Sequence, residues 1–175
     1  FSTTGVSNPI GFFTDAAGAT TIVGTNPPSN RIQLYRVNAA GTGQVRLFDG
    51  DGIALKSVGV TADAPVGVVG RAADERIFVG NTTSNGTTTD FNLLCLRSDG
   101  ALDLTFDTDG SVTTSIGIGM DVCAGIKMQS DGKIVLFGSS QAAASPAHTG
   151  FALARYHPGA TETDTVPTIV SQPVS

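Results

Sequence analysis

Two aspartate-rich loops hold the residues of this 175-residue chain that come closest to a metal site. Asp49 and Asp51 alternate with glycines in the first loop, and Asp107 and Asp109 stand two positions apart in the second. Calcium takes about six to eight oxygen ligands, and alternating aspartates on a glycine-containing loop supply several of them. The distal glutamate of a complete calcium loop is absent. We therefore predict turns in which aspartate caps its own backbone, with calcium binding as the weaker alternative.

Other chemistry-bearing residues do not form a known catalytic or cofactor pattern. His148 and His157 lack a cysteine or a second histidine at zinc-ligand spacing. No Gly-x-Ser-x-Gly elbow is present, and no Gly-x-Gly-x-x-Gly stretch opens a helix. We predict no catalytic residues, no cofactor and no enzymatic activity. Cys95 and Cys123 allow one disulfide or two buried thiols, and the apolar runs around them favour buried thiols.

Charge and composition exclude several classes of protein. The chain has ten Lys and Arg residues and 15 Asp and Glu residues, which gives a net charge of −5. It contains no cluster of basic residues that could bind nucleic acid. No apolar run approaches the roughly 18 residues of a transmembrane helix, so we expect no membrane insertion. A hydrophobic content of 40% is too high for a disordered chain. The charged fraction of only 14%, with 22 glycines, is typical of secreted bacterial β-proteins and predicts an extracellular or cell-surface location.

Internal repeats give the strongest structural signal. Segments of similar pattern begin at Ile32, Phe91 and Phe151, which are 59 and 60 residues apart. Glycines that end an apolar run keep the same order, at Gly24, Gly80 and Gly138. Each period predicts four short strands, and in the clearest copy they span 91–97, 111–116, 125–129 and 133–139. We therefore predict an all-β fold of about three β-propeller-like blades of four antiparallel strands, repeating every 56–60 residues, with almost no helix. A β-sandwich is the alternative.

The repeat also predicts turns and domain boundaries. Asp131-Gly132 between two apolar runs predicts a type I′ hairpin turn. Residues 1–160 are expected to form the repeat domain, with phases near 32–90 and 91–150 and a partial repeat at each end. Residues 161–175 are expected to form a linker or a terminal strand.

Residues 90–157 resemble the delta-60 repeat family. The resemblance is carried by Asp90–Leu93, Arg97–Asp103, Gln129–Val135 and Gly150–Tyr156. It implies propeller-like blades in a large secreted or surface protein of bacteria, and it carries over no catalytic residue. The last ten residues, Val166–Ser175, resemble the first strand of a bacterial immunoglobulin-like domain, although a closing strand or tail of the same domain also fits.

Three blades are too few to close a propeller, which typically has about four to eight. An open stack leaves an apolar sheet face uncovered at each end, and exposed apolar surface of that kind marks an association site. We expect a non-enzymatic extracellular structural module that forms a homo-oligomer or filament, or a fragment of a longer propeller. The alternative is a glycan- or protein-binding propeller fragment of a surface adhesin.

Overall fold

A computed structural model describes residues 7–26, 31–45, 48–50, 53–59, 62–141 and 149–157. Over these ranges the chain forms eleven β-strands in three antiparallel sheets and contains no helix. None of these residues therefore belongs to a helix that could cross a membrane. The predicted all-β fold with propeller-like blades is confirmed. The predicted linker or terminal strand at 161–175 lies outside the described residues.

Each sheet is an antiparallel meander in which strands that follow one another in sequence are hydrogen-bonded neighbours. The first sheet contains β1 (Ser7–Thr14), β2 (Thr20–Asn26), β3 (Arg31–Val37) and β4 (Ile53–Lys56). The second contains β5 (Asp63–Arg71), β6 (Arg76–Ser84), β7 (Thr89–Leu96) and β8 (Ser111–Thr114). The third contains β9 (Asp121–Met128), β10 (Ile134–Gln141) and β11 (Thr149–Tyr156).

The predicted repeat phases do not coincide with the sheets. The four strands expected in the clearest copy are all present as β7, β8, β9 and β10, but β7 and β8 belong to the second sheet while β9 and β10 belong to the third. The phases near 32–90 and 91–150 therefore each begin in the third strand of one sheet. The N-terminal partial repeat that we expected is instead β1 and β2, the first half of a four-stranded sheet. The predicted spacing of the repeats was right. A spacing alone does not show which strand begins a repeat, and the hydrogen bonding between strands decides where each sheet begins.

The hairpin turn at Asp131-Gly132 also differs from the prediction. Gly132 has a positive φ of 80°, and Asp131 does not share it, so the turn is not type I′. The Gly132 N–H donates to the Gln129 carbonyl at 3.0 Å, and the Gln129 N–H donates to the Lys133 carbonyl at 2.8 Å. This is a three-residue loop that ends on a left-handed glycine. In the second sheet Glu75, with φ 58°, occupies the corresponding left-handed position.

The first strand of each sheet contains a bulge at the same place, and β1 has a second irregularity between Ser7 and Pro9. The extra residue of the shared bulge is followed by a glycine in every copy: Ile10 before Gly11, Val66 before Gly67, and Ala124 before Gly125. A Cβ on Gly11 would lie 3.6 Å from the Gly67 Cα, and a Cβ on Gly67 would lie 2.9 Å from Ile126 Cγ2. The first strands β1, β5 and β9 therefore lie side by side, as the inner strands of neighbouring propeller blades do.

Two hydrophobic clusters hold the three sheets together as a stack. The cluster between the first and second sheets contains Val23, Ile32, Leu34, Phe48, Ala54, Val68, Ile77, Val79, Leu94 and Leu96. The cluster between the second and third sheets contains Phe78, Phe91, Leu93, Cys95, Phe106, Cys123, Ile134, Leu136, Ala152, Ala154 and Tyr156. The second sheet contributes to both clusters and is covered on both faces, whereas the described residues cover the first and third sheets on one face each.

Candidate functional site

The aspartate loops act as turns around buried aromatic rings. The carboxylate of Asp49 lies 3.3 Å from the Lys56 ammonium, and Asp109 Oδ1 accepts the Ser111 N–H at 2.8 Å. Asp107 has a positive φ of 44° at the tip of the second loop, and Asp51 lies outside the described residues. In the described part of the chain, no three Asp, Glu, His or Cys side chains are grouped as metal ligands. That the loops do not bind calcium stays a prediction.

The second loop also supports the packing of the second sheet. Phe106 is buried and lies edge-on to Phe78, with ring centroids 6.1 Å apart. Asp103 accepts the Thr105 N–H at 3.0 Å and pairs with the Arg76 guanidinium at 2.6 Å. Burial opposes the charge of Asp103, but these hydrogen bonds and the nearby arginine outweigh it and lower the pKa of this carboxyl group. The loop therefore fixes an aromatic ring in the core.

A small cavity of about 140 Å³ between the first two sheets is lined by several charged side chains. Arg36, Arg71 and Arg76 line it, together with Asp15 and Glu75. Arg36 and Asp15 both line the cavity and form an ion pair with each other. Each of the three guanidinium groups has a carboxylate partner, so the cavity is a polar crevice in which the cations are already neutralised.

Arg71 illustrates how the charges at this cavity stabilise one another. Its hydrogen bond with Asp74 raises the pKa of Arg71 and lowers that of Asp74. The same guanidinium lies 5.5 Å from the centroid of the Phe78 ring, within cation–π range. Arg71 thus connects the turn after β5 to the core of the second sheet.

The described cysteines are unreactive thiols, and one of the two histidines lies in the described residues. Cys95 and Cys123 are free, buried thiols within one hydrophobic cluster. Burial raises the pKa of Cys95 to about 12 and that of Cys123 to about 11, so both remain protonated at neutral pH. His157 follows β11 and is half-buried, and His148 lies outside the described residues.

Two buried aspartates that the sequence analysis missed hold the connections between sheets. Asp63 accepts the N–H groups of Val58 and Gly59, each at 3.1 Å. Asp121 accepts the N–H of Ile116 at 2.6 Å and that of Gly117 at 3.2 Å. A sequence pattern could have revealed them. An apolar residue is followed directly by a glycine, and an aspartate stands five positions after the apolar residue. This pattern occurs at 58, 59 and 63 and again, 58 residues later, at 116, 117 and 121.

Exposed apolar side chains lie on the outer sides of the first and third sheets, and we call these sides the first and third end faces. The first end face is the uncovered side of the first sheet, where Ile22 pairs with both Phe12 and Tyr35. The third end face is the uncovered side of the third sheet, where Phe137 pairs with Leu153. Phe12 is 71% exposed on the first, and Phe151 is 59% exposed on the third.

The fourth strand extends the first end face. Tyr35 pairs with Ile53, and Leu55, two residues further along β4, is an exposed apolar side chain on the same side. A row of aromatic and branched side chains therefore crosses all four strands of the first sheet, on the side opposite its hydrophobic cluster. Such contiguous apolar surface is uncommon on monomeric proteins and marks interaction sites.

Comparison with known proteins agrees with this architecture. Residues 73–106, which include all of β6 and β7 and most of the loop that follows, match a family described as "Domain of unknown function (DUF5122) beta-propeller". No curated protein matches the chain. The match is to a propeller family, and it covers the middle of the sheet that is buried on both faces. Residues 73–106 are thus similar to a β-propeller repeat family.

Proposed function

We propose that this chain is a non-enzymatic structural module that associates with copies of itself through the uncovered faces of its outer sheets. The observation that carries the proposal is the contrast among the three sheets. All of Phe91–Leu96 in the second sheet is buried, because a sheet covers each face. The corresponding strand of the third sheet is apolar as well, yet it exposes Phe151.

The proposal also includes the repeat family of the chain and its cellular location. Residues 1–160 are delta-60-like repeats of a bacterial extracellular or cell-surface protein, in keeping with the propeller match at 73–106 and the low charge of the chain. Val166–Ser175 either opens an immunoglobulin-like domain or ends the repeat domain. A rigid stack of sheets with neutralised charge clusters and protonated thiols suits a scaffold better than a catalyst.

Light scattering and electron microscopy of the purified chain test this role. Copies that associate through end faces give particles larger than 17.8 kDa whose mass rises with concentration, seen as rings or filaments in micrographs. A single 17.8 kDa species at every concentration would overturn the proposal. Salt provides a further check, because association through apolar faces weakens little when ionic strength rises.

The arginine-lined cavity supports a second candidate function, which is ligand binding by an adhesin-like propeller fragment. The cavity places Phe13 beside paired charges at the hairpin turns of two sheets. A panel of glycans and peptides tested by isothermal titration calorimetry examines this role. Binding that is lost in Arg36→Ala and kept in Arg97→Ala, an exposed arginine outside the cavity, supports it. Failure of every ligand in the panel to bind counts against it.

A further inference from the structure

The uncovered surface of the third sheet corresponds, position by position, to surfaces that are covered inside the molecule. In each sheet, the glycine after the bulge begins a row of three paired residues that crosses the first three strands. The rows are Gly11–Val23–Leu34, Gly67–Gly80–Leu93 and Gly125–Phe137–Leu153. We call them the forward rows. The first two are covered by the next sheet of the stack, and the third lies on the third end face.

The opposite sides of the sheets carry an equivalent series. The residue after the same glycine begins a row on the other side of the sheet, and we call these the backward rows. They are Phe12–Ile22–Tyr35, Val68–Val79–Leu94 and Ile126–Leu136–Ala154. The second and third are covered by the preceding sheet, and the first lies on the first end face.

Every internal junction of the stack joins a forward row to a backward row. Val23 and Leu34 of the first forward row share a cluster with Val68, Val79 and Leu94 of the second backward row. In the other cluster, Leu93 of the second forward row packs with Leu136 and Ala154 of the third backward row. Ile126, from the same backward row, is partly buried against this cluster. The molecule thus contains the same face-to-face junction twice.

Among the described strands, one forward row and one backward row therefore have no partner sheet, and the two rows are of complementary type. We propose that the third end face of one copy packs on the first end face of a second copy and so extends the order of sheets across the chain boundary. This inference rests on the proposed self-association and specifies its geometry. The contact is head-to-tail, so repetition produces a closed ring or an open filament, and a face never pairs with its own kind.

Charged substitutions at the two exposed aromatic residues test this geometry. Phe12→Asp blocks the first end face, and Phe151→Asp blocks the third. Leu104→Asp is the matched control, since Leu104 is a 65% exposed apolar residue in the loop after β7, on neither face. Circular dichroism checks that each variant is folded, and Phe12→Ala and Phe151→Ala are milder replacements if an aspartate variant is not. Size-exclusion chromatography with light scattering then measures mass alone and in 1:1 mixtures.

A head-to-tail contact predicts a pattern that other contacts do not produce. Each aspartate variant alone is monomeric, with self-affinity reduced at least about 30-fold, a loss usual for a buried aromatic anchor. Their 1:1 mixture forms a heterodimer, because each variant retains the face that the other lacks, and Leu104→Asp behaves like wild type. If wild type associates but either aspartate variant still forms a homodimer, or the mixture stays monomeric, the head-to-tail geometry is wrong while self-association stands. A monomeric wild type overturns both.

Discussion

Replacing Asp121 by asparagine removes one carboxylate oxygen from a site where backbone donors converge. Asp121 is fully buried at the start of β9, where it accepts the Ile116 N–H at 2.6 Å and the Gly117 N–H at 3.2 Å. The Gly117 N–H lies 3.2 Å from both carboxylate oxygens, so asparagine at best leaves both donors on one uncharged oxygen and buries its own NH₂ group facing them. Hydrogen bonds to a charged group contribute about 1.5–3 kcal/mol each, and a buried donor without a partner adds a desolvation cost of about 1–3 kcal/mol.

These terms predict that Asp121→Asn lowers the free energy of unfolding by about 2–4 kcal/mol. With a urea m-value of about 2 kcal/mol/M, the midpoint falls by roughly 1–2 M. Urea titration followed by circular dichroism measures the change, at a protein concentration where wild type and variant have the same mass. The structure makes the same prediction for Asp63→Asn, because Asp63 accepts the N–H groups of Val58 and Gly59 in the other connection.

Asp107→Asn is the matched control for this measurement. Asp107 is exposed and has a positive φ of 44°, a conformation that asparagine adopts readily. The control should stay within about 0.5 kcal/mol of wild type. If Asp121→Asn is as stable as this control, the buried carboxylate does not hold the connection between the second and third sheets, and the reasoning is refuted.

Four further predictions follow. Glu75→Gly removes the steric strain of a left-handed residue at φ 58° and should raise the free energy of unfolding by about 1 kcal/mol. Gly132→Ala should lower it by a similar amount, because alanine at this left-handed position is strained. Equal stability of the two variants in urea titration would contradict this. The lowered pKa of Asp103 adds stability that is present above its unfolded value of 3.8 and is lost as the pH falls through its folded value. Asp103→Asn should therefore lose less stability than wild type between about pH 5 and pH 2 in acid titrations of unfolding, and an unchanged slope would count against the ion pair. The thiols of Cys95 and Cys123, with pKa values raised to about 12 and 11, should resist a thiol reagent at pH 8 in the native protein and react in urea; rapid native labelling would show that they are accessible. Calorimetric titration with calcium should give no saturable heat, and a stoichiometric signal would revive the aspartate loops as ligands.

The strands were predictable because each of them carries a local signal. Alternating apolar residues and an Asp-Gly turn mark β9 and β10 wherever they lie in the fold, and the sequence around Phe91 is apolar on both sides because β7 is covered on both faces. The turn type was not predictable, since Asp131-Gly132 is compatible with two hairpin geometries that differ in the φ of Asp131. Local sequence thus determined where the chain turns and left the backbone angles open.

The grouping of strands and the roles of single residues depended on long-range contacts. A repeat of 56–60 residues looks the same whichever strand is taken as its start, so only the pairing of β5 with β6 shows where the second sheet begins. Asp63 and Asp121 look like ordinary turn residues in sequence, and their burial follows from the sheets that enclose them. The uncovered faces of the outer sheets were expected, but Phe12 and Phe151 could be assigned to those faces only once the cross-strand pairs were known.

Sedimentation velocity of the wild-type chain across a hundredfold range of concentration tests the central claim most directly. If the end faces bind one another, the weight-average mass starts near 17.8 kDa at the lowest concentrations and rises through multiples of it, and Phe12→Asp abolishes the rise. A mass that stays at 17.8 kDa throughout, with Phe12→Asp sedimenting like wild type, would contradict the claim that the outer sheets pack against a second copy of the chain.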